Sequence, residues 1–179
     1  DVVGSAHRAG LRTTATIMFG HVEQHDDIAA HLLAIRDLQA ETGGFTEFVP
    51  LPFVHAESPL YLKGKARRGP TLRETLLMHA ISRIVLEPLI PNIQASWVKL
   101  GPDAMVRALS AGVNDMGGSL MDESISRAAG ASHGQEMTPA CMQAIAALAG
   151  RPAHQRTTLY GMPAVSHTRS TEILSVSGS

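Results

Sequence analysis

With 179 residues, 15 basic and 16 acidic side chains and a net charge of −1, the chain has no field of one sign to recruit nucleic acid or anionic lipid. A hydrophobic share of 44% is ample for a core, and the single cysteine, Cys141, excludes a disulfide framework and points to the cytoplasm. No run approaches the ~20 apolar residues of a membrane span, and no signal peptide opens the chain.

The first ten residues, "DVVGSAHRAG", lack an initiator methionine and read as a helix cut near its start, with Val2, Val3, Ala6 and Ala9 at helical spacing and Gly10 as its cap. A fragment of a longer protein is the expectation. Leu11 to Phe19 is short, apolar and β-branched, a buried strand. Asp26 or Asp27 caps the next helix, whose inner face is Ile28, Leu32, Ile35 and Leu38 or Gln39, and Gly43-Gly44 stops it. Phe45 to Leu51 is a second strand, followed by a long loop carrying His55, Glu57 and the basic run "KGKARRG", read as solvated. Thr71 and Glu74 form a capping box for a helix with Leu72, Leu76, Leu77, Ala80, Ile81, Ile84 and Val85 expected inside. Asn92 to Val98 reads as a third strand, and Pro102 opens a short helix closed by Gly112. Val113 to Gly117 reads as a fourth strand. Thr138 caps a last helix, on which Cys141 is expected to be packed.

Strands alternating with helices point to βαβ units and a parallel sheet. Polar residues gather at or beyond the C-terminal strand ends, where open sheets and barrels both keep their sites. "GVNDMGG" lacks the GxGxxG spacing of a nucleotide loop. That favours a barrel, of which about four βα units would be half. His21 and His25 stand four apart, a zinc spacing on a helix, but "HVEQH" is not H-E-x-x-H, and metal ligation is not the preferred reading.

The strings "FTEFVPLPFVHAESPLYL", "IQASWVKLG", "AGVNDMGGSLMDESISRAAGASHG" and "GRPAHQRTTLY" resemble the C-terminal part of the FO synthase family, in its tyrosine-using 4-hydroxyphenyl transferase half. The likeness runs from about Ser5 to Tyr160. It implies an α/β fold, the second half of a radical S-adenosylmethionine (SAM) TIM-type barrel over 1–160; outside the likeness, 161–179 is Ser/Thr-rich and weakly patterned and reads as a flexible tail. It also implies a [4Fe–4S] cluster on Cys-x3-Cys-x2-Cys, which one cysteine cannot supply. The implied reaction of the complete enzyme is transfer of the 4-hydroxybenzyl group of L-tyrosine to 5-amino-6-(D-ribitylamino)uracil, driven by a radical made from SAM. The implied partners are the N-terminal half barrel and a cyclising half, fused or separate.

In that frame "TIMFGHVE" matches the second half of the family's SAM-side turn, so Gly20 and Glu23 are expected beside SAM, with Glu23 alternatively only a helix-start residue. His21 is expected as a substrate-pocket donor. Asn92, Gln94 and Ser96 alternate on one strand face, expected inward, where amides suit a uracil ring. Asn114 and Asp115 are expected at the same mouth, and Glu123 and Ser124 on the tyrosine amine or ribityl hydroxyls. For each, the alternative is a polar network holding the rim. "HGQEM" and "RPAHQRTTLY" read as closing segments over a barrel end, Arg151 and Arg156 alternatively as helix caps. Two other readings compete: a futalosine-pathway menaquinone radical SAM enzyme, and a non-catalytic half barrel that binds ligand or dimerises.

Overall fold

A computed structural model describes residues 2–119 and 136–163. Glu123, Ser124 and most of the expected tail lie outside the described residues. In chain order the elements are α1 (Val2–Arg8), β1 (Thr13–Phe19), α2 (His25–Thr42), β2 (Phe45–Pro52), α3 (Pro59–Leu62), α4 (Leu72–Leu86), α5 (Trp97–Ser110) and α6 (Pro139–Leu148). The fold is mixed α/β with a small parallel sheet. β1 and β2 pair in parallel, Thr14 opposite Glu47 and Phe19 opposite Pro52. Single parallel bridges, Phe48 to Ile93 and Gln94 to Asp115, extend the layer in chain order.

The third and fourth strands are therefore shorter than expected. Trp97 and Val98, apolar and β-prone, sit in the first turn of α5 and are buried there, so packing rather than strand propensity decides their conformation. Gly101, at φ 76° and ψ 169°, breaks the helix, and the straight piece that Pro102 was expected to open follows it. α2 begins two or three residues earlier than expected: Gln24 is the cap and Asp27 its reciprocal partner, accepting the Gln24 N–H at 2.8 Å. The buried face of α2 is Leu32, Ile35 and Gln39. The Gln39 amide clamps the start of β2, accepting the Phe45 N–H at 2.8 Å and donating to the carbonyls of Phe45 and Leu89, each at 3.1 Å.

α4 carries its expected capping box, the Glu74 N–H donating to Thr71 Oγ1 at 3.2 Å. Its inner face is rotated from the expected one: of the expected residues Leu76 and Val85 pack against the core half-buried, and Leu72 is exposed. Thr75, Met78, His79, Ser82 and Leu86 are buried, while Leu77, Ile81 and Ile84 are 43%, 46% and 77% exposed. The inward polar groups bond to carbonyls of their own helix, and among the described residues only His79 Nε2 is left buried without a partner. Thr75 Oγ1 donates to the Thr71 carbonyl at 3.0 Å, His79 Nδ1 to that of Thr75 at 2.8 Å, and Ser82 Oγ to that of Met78 at 2.6 Å. A polar stripe can then face the core with its donors paired and a single unpaired acceptor, His79 Nε2, which a count of large aliphatic residues does not reveal. Cys141 is likewise exposed, not packed: α6 buries its later turns, at Ile145 and Ala146.

The core lies between the strand layer and the helices, around Leu32, Phe48, Ile90, Ile93, Met105 and Val113. The opposite face of the layer has no helix on it among the described residues. There Thr14, Thr16 and Met18 are exposed and Gln94 is half-buried. No helix among the described residues is long and apolar enough to cross a membrane.

Candidate functional site

Two polar groups occupy the strand layer, one at each end. At the C-terminal end, β1 runs into a turn that Glu23 holds from inside. Its carboxylate accepts the N–H groups of Gly20 at 2.6 Å, His21 at 3.0 Å and Val22 at 3.2 Å, and the His21 ring nitrogen Nδ1 at 2.6 Å. Arg67, from the basic run, stands 3.6 Å from the same carboxylate and 2.8 Å from Glu74, and its N–H donates to the His21 carbonyl at 2.9 Å. Burial alone would raise the Glu23 pKa. The Gly20 N–H, the His21 ring and the other backbone donors overcome that and hold it at about 2, against an ordinary 4.5. Gly20 has φ 91°, and a Cβ there would stand 2.2 Å from Pro70 Cδ, so only glycine lets the basic loop close over the turn. The His21 ring packs at a tilt on Phe53, centroids 5.5 Å apart.

At the other end, about five residues or ~16 Å along the strands, Glu47 faces Asp115 across the uncovered face. Residues 151–163 cross it. Arg156 Nε donates to Asp115, its other end lies 3.8 Å from Glu47, and its guanidinium stacks 4.1 Å over the Tyr160 ring. Tyr160 donates its hydroxyl to Glu47, which also accepts from Thr14 Oγ1 at 3.0 Å. Burial opposes the Arg156 charge, but Asp115 outweighs it and its pKa rises; burial and the bond to Glu47 raise that of Tyr160. Asp115 also accepts the Gly117 N–H at 2.7 Å.

The strand-face residues expected at one site separate. Gln94 and Asp115 are bridge partners on the uncovered face. Asn92 donates its amide to the Thr46 carbonyl at 2.9 Å, holding the edge of β2. Ser96 is the N-cap of α5. Asn114 works at the strand starts: its Oδ1 accepts from Arg83 and from the Ile93 N–H, both at 2.8 Å, and its Nδ2 donates to the Pro91 carbonyl at 3.0 Å. Among the described residues, no group of three or more His, Cys, Asp or Glu side chains is arranged to hold a metal ion.

The sequence profile of the family described as "CofH/MqnC C-terminal region" matches residues 42–168. The chain belongs to that family. It is 53% identical over 162 residues to "FO synthase" of Mycobacterium tuberculosis (strain CDC 1551 / Oshkosh), covering 90% of this chain and 19% of that protein. To "FO synthase" of Streptomyces coelicolor it is 50% identical over 161 residues, again 90% and 19%. To "5-amino-6-(D-ribitylamino)uracil--L-tyrosine 4-hydroxyphenyl transferase" of Methanopyrus kandleri it is 48% identical over 159 residues, 89% of this chain and 43% of that protein. The chain thus spans about a fifth to under half of the curated relatives it matches.

Within this CofH/MqnC C-terminal region, three residues of the uncovered face escaped sequence reading as site residues: Glu47, Arg156 and Tyr160. Glu47 was legible as a lone carboxylate inside an otherwise apolar strand, "FTEFVPL". Arg156 and Tyr160 carry no local signal, because only the return of the chain across the strand face gives them partners.

Proposed function

We propose that this chain is the second half of a radical SAM barrel in an FO-synthase-type transferase. The reaction moves the 4-hydroxybenzyl group of L-tyrosine to 5-amino-6-(D-ribitylamino)uracil. The observation that carries the reading is the 48% identity to the Methanopyrus kandleri transferase over nearly the whole of this chain and only 43% of that protein. The family description joins two enzyme names, so the profile alone does not choose the substrates; the names of the relatives favour these two.

The residues present do not fit the iron–sulfur cluster. The chain has one cysteine, exposed on α6, against the three thiolates that the resemblance requires. The cluster ligands therefore belong to another part of the whole protein, and no step is derived through them. What this chain contributes is positioning and exclusion of water. The Glu23 carboxylate shapes the turn from Gly20 to Val22, which the reading places beside SAM, and it acts through backbone donors, not by reaching outward. His21, whose Nδ1 donates to Glu23 and whose ring leans on Phe53, presents Nε2 at the strand ends; in the neutral ring that nitrogen accepts from substrate, and it is a substrate donor in the imidazolium form. Gln94 supplies an uncharged amide on the uncovered face, suited to the uracil ring. Asn92, Ser96 and Asn114 support this face through the β2 edge, the start of α5 and the strand starts. Arg156 and Tyr160 close its far end over Glu47 and Asp115. Glu123 and Ser124 remain assigned to the tyrosine amine or the ribityl hydroxyls. The enzyme works in the cytoplasm and binds neither nucleic acid nor membrane.

The test is an anaerobic assay of the full-length polypeptide with SAM, a reductant, L-tyrosine and the aminouracil. The expected result is a tyrosine-dependent product heavier than the aminouracil by a hydroxybenzyl group. Cleavage of SAM that is indifferent to both substrates would reject the reading.

A further inference from the structure

The basic run "KGKARRG" does more than lie in solvent. Arg67 is engaged by Glu23 and Glu74, but its neighbour Arg68 turns the other way. Gly69, at φ 91°, makes this possible, because a Cβ there would stand 2.5 Å from the Phe53 carbonyl oxygen. The loop is thereby pressed against the segment after β2, and Arg68 reaches a cavity of about 380 Å³ between that segment and α5. The cavity opens just past Pro52, at the C-terminal end of β2, on the side where the Glu23 turn lies.

The walls of this cavity are of two kinds. Arg68, Lys99 and His55 form one, and Phe53, Leu72 and Leu100 contribute an apolar one. No aspartate or glutamate lines it. Arg68 donates Nε to His55 Nε2 at 3.4 Å, and among the described residues no carboxylate lies within ion-pair distance of its guanidinium. The other nitrogens of the fork are thus left for a planar anion, and Arg is the side chain whose geometry suits a carboxylate in two-pronged contact. A free inorganic anion would have no use for the apolar wall. The combination matches an α-carboxylate on a molecule with a bulky, largely apolar remainder.

We propose that this cavity is the carboxylate subsite for an amino-acid substrate, with Arg68 as its anion-binding residue. The assignment rests on the transferase reading, in which two amino acids enter the enzyme, L-tyrosine and SAM. Both carry the same α-carboxylate, and the experiment separates them.

Equilibrium dialysis of the full-length polypeptide with labelled L-tyrosine and labelled SAM tests the site without requiring turnover. Wild type is compared with Arg68→Ala and Arg68→Lys, with thermal unfolding as the check that the exposed substitution leaves the fold intact. For one of the two amino acids, Arg68→Ala is expected to weaken binding about tenfold to a hundredfold, the range for loss of a charged hydrogen bond, and Arg68→Lys to recover part of it. Tyramine, which lacks the carboxylate, resolves the L-tyrosine arm. If L-tyrosine is the occupant, wild type prefers it to tyramine and Arg68→Ala loses that preference. If SAM is the occupant, only its binding falls. Unchanged binding of both amino acids in Arg68→Ala, or no binding of either by wild type, overturns the subsite. Failure of wild type to form the transfer product while Arg68-dependent binding persists would instead overturn the transferase reading and leave the subsite standing.

Discussion

Replacing Glu23 by glutamine tests the strand-end turn directly. The carboxylate collects three backbone N–H groups and a His21 ring nitrogen within one turn. A pKa drawn from 4.5 to about 2 favours the ionised form in the folded chain. At 1.36 kcal/mol per pH unit this amounts to roughly 3 kcal/mol. Water reaches the Arg67 side of the turn, and glutamine retains one acceptor oxygen, so the expected loss is about 2 kcal/mol. The sign in pH follows from linkage. The folded pKa lies below the unfolded one, so the contribution is complete above pH 4.5 and is lost as pH falls from there toward 2. Urea unfolding of wild type and Glu23→Gln, at steps from pH 7 to pH 3, should give a gap of about 2 kcal/mol that narrows below pH 4.5. A gap independent of pH, or none at pH 7, would refute the claim that the ionised carboxylate builds the turn.

Three further outcomes follow from the packing. Arg156→Ala removes the counter-ion between Asp115 and Glu47 and should cost about 2–3 kcal/mol in urea unfolding, below the 3–5 of a fully buried pair because the arginine is partly exposed; Asp115→Asn in the same chain should recover part of it. Burial lowers the His79 pKa against the opposing bond to the Thr75 carbonyl, so this neutral ring should make stability fall as pH drops below 6.5, and His79→Leu should remove that part of the slope. Ile84→Ser on the outward face of α4 should change stability by less than about 0.5 kcal/mol, whereas Leu86→Ala, from the buried face, should cost about 2–5; equal losses would mean that the two faces are assigned the wrong way round.

Elements whose signals are local were legible. Thr71 and Glu74 mark the start of α4 and Thr138 that of α6, because a capping bond is made within four residues. β1 and β2 were legible as short apolar runs with turn residues on both sides. What failed depends on partners distant in the chain. Trp97 has strand-like chemistry, yet its indole N–H donates to the Gly118 carbonyl at 3.0 Å from the first turn of a helix. The face of α4 was misread because Thr75, His79 and Ser82 hide their polarity in bonds to their own backbone. At the site, Gly20 and Glu23 were recognisable as a turn by resemblance, but not that the turn closes on its own carboxylate. The contacts of Glu47, Asp115, Arg156 and Tyr160 span the chain from its second strand to its last described residues, beyond the reach of any sequence window.

That last contact set has a consequence for descent. Glu47 and Asp115 are tolerable on one strand face because Arg156 lies between them, and Tyr160 is held to Glu47 by a single hydroxyl. A lineage that neutralised either acid would leave the arginine with excess charge, and one that lost the arginine would leave two anions facing each other. Substitution at one of these positions therefore makes the present residue at the others unfavourable, and the four should drift as a set. Pieces exchanged between relatives with a junction between Asp115 and Arg156 would join an acid pair to a strap evolved for a different one. Such chimaeras should fail more often than those cut after Tyr160, where no member of the set is divided from the rest.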